Sequence, residues 1–377
     1  MKSPDLITLT RKLLSFNNIN PPGNEEEIAR FAGSLLTEHG FTVKLSEFEK
    51  GRLHLVAEKG LSTLKPPVVL SGHFDTVPLG NNKWSKDPFA GEITDGKIWG
   101  RGSSDMKGGV AAMILAAIEA FRDEAPAGGV RLVFTAAEEL GCIGIGQLMR
   151  TIDDPGQASA IIVGEPTSNL PAIGHKGAIY LNAVTTGKTA HSSMPQLGDN
   201  AIYKAAESIL KARDFKFETE KDPLLGFPTI NVGKMSGGLN INSVPDHAEF
   251  TIDIRTTSKT DHKRIVKKLA DELGNEVKIE VLVDMTPVFT NEEDQFVKLA
   301  YDICGIKQNT EGFPKSLPYL TDGSVLQKVY GGAPTIILGP GEPEMAHKTD
   351  EFCLISKLEE SLRIYKEIIL KWRKYIC

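Results

Sequence analysis

Apolar positions along this chain fall into two textures. Short, unbroken apolar runs in "PPVVLSGHFD", "VRLVFTAAEE", "ASAIIVGEP" and "APTIILGPG" suit strands covered on both faces, as in a parallel or mixed sheet. Between the first two, "MKGGVAAMILAAIEAFRDE" is rich in Ala with Met, Ile and Leu at helical spacing, which predicts a buried helix. Near the N-terminus, Leu6, Ile7, Leu9, Leu13 and Leu14 follow Pro4 and are interrupted by Thr, Arg and Lys. That is the pattern of an amphipathic helix, without the unbroken apolar centre of a signal peptide.

From about Ala178 to Val283 the texture changes. "AIYLNAVTTG" alternates like a half-exposed strand, and "DNAIYKAAESILKARD" reads as a helix with Asp199 or Asn200 placed to cap it. "PTINVGKMSGG" and "DHAEFTIDIRT" read as strands, "KTDHKRIVKKLADELG" as a second helix and "EVKIEVLVD" as a last strand. The order βαββαβ closes into a small four-stranded sheet with two helices on one face. The expected organisation is an α/β domain with a mixed sheet, built from residues 1–177 and 285–377, and an α+β domain inserted at 178–284. A chain of 377 residues is longer than one hydrophobic core usually grows, which agrees with two domains.

Composition narrows the class. Apolar residues make up 41%, charged residues 24%, and the net charge is −6, all ordinary for a globular protein. With no basic block and a pI near 5.8, a nucleic-acid binder is not expected. No stretch approaches the roughly 20 apolar residues of a membrane span. Cys142, Cys304, Cys353 and Cys377 show no CxxC spacing, which argues against a disulfide framework or a thiolate zinc site and fits a reducing cytoplasm.

Each apolar run is followed by a potential metal ligand or acid. His73 and Asp75 follow the first, Glu138 and Glu139 the second, Glu165 the third, and His347 lies a loop after the fourth. Asp105 lies in "GRGSSDMKGG", just before the long helix. Sites in open α/β sheets form beyond the carboxyl ends of strands, so these residues can converge. Singly they have bland readings: a solvated Glu-Glu pair, an Asp105 that caps a helix, a surface His347. Together, histidines and carboxylates suit zinc, cobalt or manganese, and their number suits two ions about 3.5 to 4 Å apart that share a carboxylate, an arrangement that favours hydrolysis. Adjacent side chains on an extended segment diverge. Glu139 is therefore read as the metal ligand and Glu138 as the general base toward water held between the metals. Asp75 is positioned to hold the second imidazole nitrogen of His73. The glycine-rich loop lacks both GxGxxG and GxxxxGK[ST], so a nucleotide site is not supported. A scaffold that lost turnover is not supported either, because no ligand or base is missing.

These segments resemble the metallopeptidase family of acetylornithine deacetylase, succinyl-diaminopimelate desuccinylase, aminoacylase and carboxypeptidase G. "SGHFDTVP", "WGRGSSDMKGGVAAM", "TAAEELG", "VGEPT", "GHKG", "GKTAHSSMPQLGDNAI", "GGLNINSVPDHAEFTIDIR" and "GPGEPEMAHKTDE" carry the resemblance in family order, over nearly the whole chain. It implies a catalytic domain with two zinc ions and an inserted lid that also dimerises. By resemblance Asp105 bridges the ions, His73 and Glu165 complete one, Glu139 and His347 complete the other, and the Asp105-Met106 peptide is cis. The same resemblance implies that His191, presented to the partner subunit's site, and Asn242 stabilise an oxyanion. It also implies that Arg255 grips a substrate carboxylate, although Arg255 could equally end its strand in a structural salt bridge. The implied activity is amide hydrolysis of a small N-acyl amino acid in a homodimer. Desuccinylases of the family resemble one another in an Arg-Arg pair where this chain has His175-Lys176. Acetylornithine-type deacetylation is therefore expected first, desuccinylation second with Lys176 as a point charge, and dipeptide or folyl-glutamate cleavage third.

Overall fold

A computed structural model describes residues 4–62, 65–123, 128–152, 154–307 and 315–372. Cys377 and the last residue of the predicted long helix, Glu124, lie outside them. The chain divides into two compact units, one of residues 1–174, 288–317 and 321–377, the other of residues 175–287 and 318–320.

The first unit is organised by a six-stranded mixed sheet. Its order is Thr42–Glu49, Arg52–Lys59, Val130–Thr135, Val68–His73, Ala160–Val163, Thr335–Ile337. The first two strands form an antiparallel hairpin that joins Val130–Thr135 antiparallel, and the rest pair in parallel. The apolar runs are these parallel strands, and every residue of Val68–His73 and Val130–Thr135 is buried. Register fixes what emerges from the sheet edge: His73 lies opposite Thr135, and Ser71 opposite Val163. Glu165, two residues past Val163, is thus level with His73, and Glu138 and Glu139 follow Thr135 by a short turn.

The helix Lys107–Asp123 packs against the strand Val68–His73 and against the helix Ile355–Trp372. Residues Met106 to Ile118 of this segment are buried, which is why its sequence is apolar all round rather than striped. Asp5 caps the N-terminal helix Leu6–Leu14 by accepting from the Thr8 backbone N–H.

The second unit is an antiparallel sheet in the order Thr229–Gly237, His247–Thr256, Gly177–Thr186, Val277–Met285. Ile179, Leu181 and Ala183 lie opposite Ile254, Ile252 and Phe250. Helices Ala201–Asp214 and His262–Leu273 cover that face with Ala201, Ala205, Ile265 and Leu269. Asn200, rather than Asp199, caps the first helix, its side chain accepting from the Ile202 and Tyr203 backbone N–H groups.

Candidate metal centre

Five side chains from five separate segments of the first unit meet at the sheet edge. His73 Nε2 lies 3.3 Å from Asp105 Oδ1 and 3.7 Å from Glu165 Oε2. On the other side of the same carboxylate, Asp105 Oδ2 lies 3.4 Å from His347 Nε2, which is 3.2 Å from Glu139 Oε2. Asp105 therefore offers one oxygen to each histidine. The result is two clusters of possible ligand atoms, His73–Asp105–Glu165 and Asp105–Glu139–His347, that share one residue. The peptide after Asp105 is cis.

The supports of these side chains are polar and buried. His73 donates from Nδ1 to the backbone carbonyl of Asp75 at 2.9 Å, which leaves Nε2 as a lone-pair donor toward the cluster. The Asp75 carboxylate stands 3.7 Å from that nitrogen, ion-pair distance rather than a hydrogen bond. In this structure the Asp75 main chain makes the hydrogen bond to the ring and its carboxylate adds an ion-pair contact. The carboxylate also accepts from the backbone N–H groups of Glu138 at 3.1 Å and Glu139 at 3.2 Å, and from Asn20 Nδ2 at 2.8 Å. One aspartate thereby fixes the backbone from which both glutamates project. His54 adds a brace, its Nδ1 accepting from the Ala136 N–H at 3.0 Å while Nε2 faces Gln147 Oε1. Only a neutral ring can accept at Nδ1, in keeping with burial that lowers the His54 pKa to about 4.

The two glutamates diverge. Glu139 turns to His347, whereas Glu138 Oε1 accepts from the Cys142 thiol at 3.2 Å. Cys142 and Asp322 with Glu138 form a third cluster of ligand types, but burial and the Glu138 charge push the thiol pKa well up. A thiol held protonated is a hydrogen-bond donor, not a metal ligand.

The electrostatics of the centre call for positive charge. Burial, and then neighbouring carboxylates, raise Glu138 and Glu139 above the ordinary range and Glu165 to about 8. Against the effect of burial, the neighbouring His347 and His73 hold Asp105 well below it. Glu139 Oε1 is buried and accepts no hydrogen bond among the described residues. An orphaned carboxylate oxygen in a cluster with one imidazole and the shared Asp105 carboxylate fits a divalent cation, so the residues present suit a metal pair.

The remaining predicted residues lie in the second unit. His191 is exposed, its Nδ1 against Ser193 Oγ at 2.8 Å, and the Ser192 N–H donates to the carbonyl of Asn242 at 3.1 Å. His191 and Asn242 are therefore neighbours. Arg255 pairs with Asp253 at 2.9 Å and donates to the Tyr180 hydroxyl at 3.0 Å, so the salt-bridge alternative is realised in this structure. Lys176 donates to the Phe227 carbonyl at 2.6 Å. Asn20, His54, Arg101 and Glu351 were not marked by sequence reasoning; only Arg101 and Glu351 carry a signal, as charged residues inside the motif segments.

Fold and ligand set together define a metal-dependent hydrolase. Residues 69–371 match the profile of peptidase family M20/M25/M40, and the chain belongs to that family. A Staphylococcus epidermidis relative named probable succinyl-diaminopimelate desuccinylase is 29% identical over 401 residues, covering 98% of this chain and 98% of the relative. An acetylornithine deacetylase from Vibrio vulnificus is 28% identical, covering 99% and 100%. Among solved structures, an M20 family metallo-carboxypeptidase from Sulfolobus solfataricus superposes with a TM-score of 0.81 at 19% identity, over 98% of this chain and all of its own. A dinuclear metal-binding M20 peptidase from Bacillus subtilis gives 0.72 at 16% identity, over 98% of each chain. These structural likenesses bear on the fold.

Proposed function

We propose that this chain hydrolyses the amide of a small N-acyl amino acid on a pair of zinc ions, with N-acetyl-ornithine as the representative substrate. The observation that carries the reading is the division of Asp105, one oxygen facing His73 and the other His347. In this reading His73, Asp105 and Glu165 hold one ion, and Asp105, Glu139 and His347 hold the other; cobalt or manganese can substitute. Bound cations supply charge that polarises the amide carbonyl and acidifies the attacking water. Glu138 accepts the proton of that water and returns it to the departing amine nitrogen. Burial raises its proton affinity, which suits a group that must take a proton. Asp75 keeps the Glu138–Glu139 backbone in place during both transfers.

His191 and Asn242 are the proposed donors to the oxyanion, and Arg255 the proposed partner of the substrate carboxylate, in competition with Asp253. The proposal includes a cytoplasmic homodimer assembled through the inserted unit, with His191 serving the partner. Leu239 and Ile241, 97% and 99% exposed, support an apolar contact there.

Desuccinylation is the second reading, and one observation favours it. Arg255 lies in register opposite Ala178, two residues from Lys176, and burial and then the Arg255 charge lower the Lys176 pKa, so two cations lie close together where a second, acyl-chain carboxylate could be received. A panel of N-acetyl-ornithine, N-succinyl-diaminopimelate and simple dipeptides, assayed with added zinc or cobalt, separates the readings by kcat/KM. The acetyl substrate is expected to lead. A succinyl substrate in front selects the second reading, and no amide turnover in the panel defeats both.

A further inference from the structure

One ion pair of the first unit lies fully buried beside the centre without belonging to it. Arg101 is 1% and Glu351 0% exposed, and Arg101 Nη1 donates to Glu351 Oε2 at 2.7 Å. Removing two charges from water is costly, and a buried pair is weak evidence for stability as such. Its contacts show what it organises.

Asp105 sits in an irregular turn whose backbone donors have no strand or helix to satisfy them. Glu351 accepts from the N–H groups of Gly102 at 3.0 Å, Ser104 at 2.8 Å and Asp105 at 3.0 Å. The turn is thus wrapped around one carboxylate. Arg101 reaches the neighbouring loops: Nη1 also donates to the carbonyl of Lys348, directly after His347, at 3.2 Å, and Nη2 to that of Pro78, five residues after His73, at 3.0 Å. His347 needs such a tether. It sits in a loop with φ +64° and its side chain is 57% exposed, so packing cannot hold it.

We propose that Arg101 and Glu351 form a positioning clamp that sets the spacing between Asp105 and His347 and thereby the affinity for the cation held by Asp105, Glu139 and His347. The inference rests on the metal reading above. It also predicts an asymmetry. In the other cluster, His73 ends a central strand and Glu165 lies two residues past one, so those two ligands are placed by the sheet. In the Asp105–Glu139–His347 cluster every ligand comes from a turn or loop, and two of the three depend on the clamp.

The test uses the intact chain stripped of metal by chelation, then titrated with Co2+ while heat and visible absorption are recorded, for wild type, Glu351→Gln and Arg101→Lys. Melting of the metal-free forms reports on folding. Wild type is expected to bind two equivalents. Glu351→Gln should take up the first with only a small loss of affinity, because one of its three ligands is the shared Asp105, and the second about 10–100-fold more weakly, with the larger change of cobalt spectrum on the second. KM should stay unchanged and kcat recover at excess metal. Arg101→Lys, which keeps the charge but loses the fork that spans Lys348 and Pro78, should show a milder loss of the same equivalent and carries the test if Glu351→Gln does not fold. A folded variant that binds both equivalents as wild type does overturns the clamp. So does parallel weakening of both equivalents with a fall in the metal-free melting temperature, which marks a merely structural pair. Wild type that binds no cation overturns the metal reading itself.

Discussion

Two adjacent carboxylates can serve different ends only if the backbone between them is held. Here Asp75 accepts from the N–H groups of both Glu138 and Glu139, and the side chains part, one toward Cys142 and the other toward His347. Replacing Glu138 by Gln keeps shape and the backbone contacts while removing the proton acceptor. Metal content, read by elemental analysis, should stay at the wild-type value while kcat falls roughly 10²–10⁴-fold. Near-normal turnover in a fully metallated variant removes Glu138 as the base. The residue types that gather at the centre were legible in the sequence, because acids and histidines just past apolar runs mark strand ends. Their supports were not. Asn20 meets Asp75 across 55 residues and Glu351 meets Asp105 across 246, and no local period encodes a hydrogen bond of that span.

Strand by strand, the same contrast holds. Val68–His73 and Val130–Thr135 announce themselves as unbroken apolar runs because both faces of the sheet are covered there. The hairpin Thr42–Glu49 and Arg52–Lys59 does not. A register shift between Glu47 and Glu49 breaks the alternation of the first strand. In the second, Arg52 and His54 are buried because Glu25 and the Ala136 N–H partner them, so polar letters occupy inward positions. The helix Ile143–Thr151, which follows the two glutamates, shows how tightly this corner is built. A Cβ at Gly144 would meet the Ala136 carbonyl oxygen at 1.7 Å, whereas at Gly146 the nearest atom is an Arg150 side-chain nitrogen at 3.6 Å. Gly144→Ala must displace the backbone that leads to Glu138, at a cost of about 1–3 kcal/mol typical of overpacking. Gly146→Ala in the same helix should instead be neutral or stabilising by up to about 1 kcal/mol. Chemical denaturation of the two variants checks the pair, and equal behaviour would show that the corner yields more easily than its contacts imply.

The five proposed ligands are spread from His73 to His347 in the chain, yet all belong to one unit, and none lies in residues 175–287 or 318–320. Metal binding should therefore be coupled to the folding of the first unit and not to that of the second. Two effects act in the same direction on chelation. Ligand-linked stability is lost, about 2.7 kcal/mol for each cation present at a hundred times its Kd. The buried carboxylates that burial and mutual repulsion already strain, Glu138, Glu139 and Glu165, also lose their counter-charge. For a unit of this size each bound cation corresponds to roughly 5 °C in melting temperature. Hydrogen exchange localises the effect. After metal removal, amides of Val68–His73, Val130–Thr135 and the turn at Glu138–Glu139 should exchange faster, while those of Gly177–Thr186 and His247–Thr256 keep their rates. Equal loss of protection in both sets would mean that the two units unfold as one and that the cations stabilise the whole chain; no change in either would mean that the centre at Asp105 holds no metal that matters to the fold.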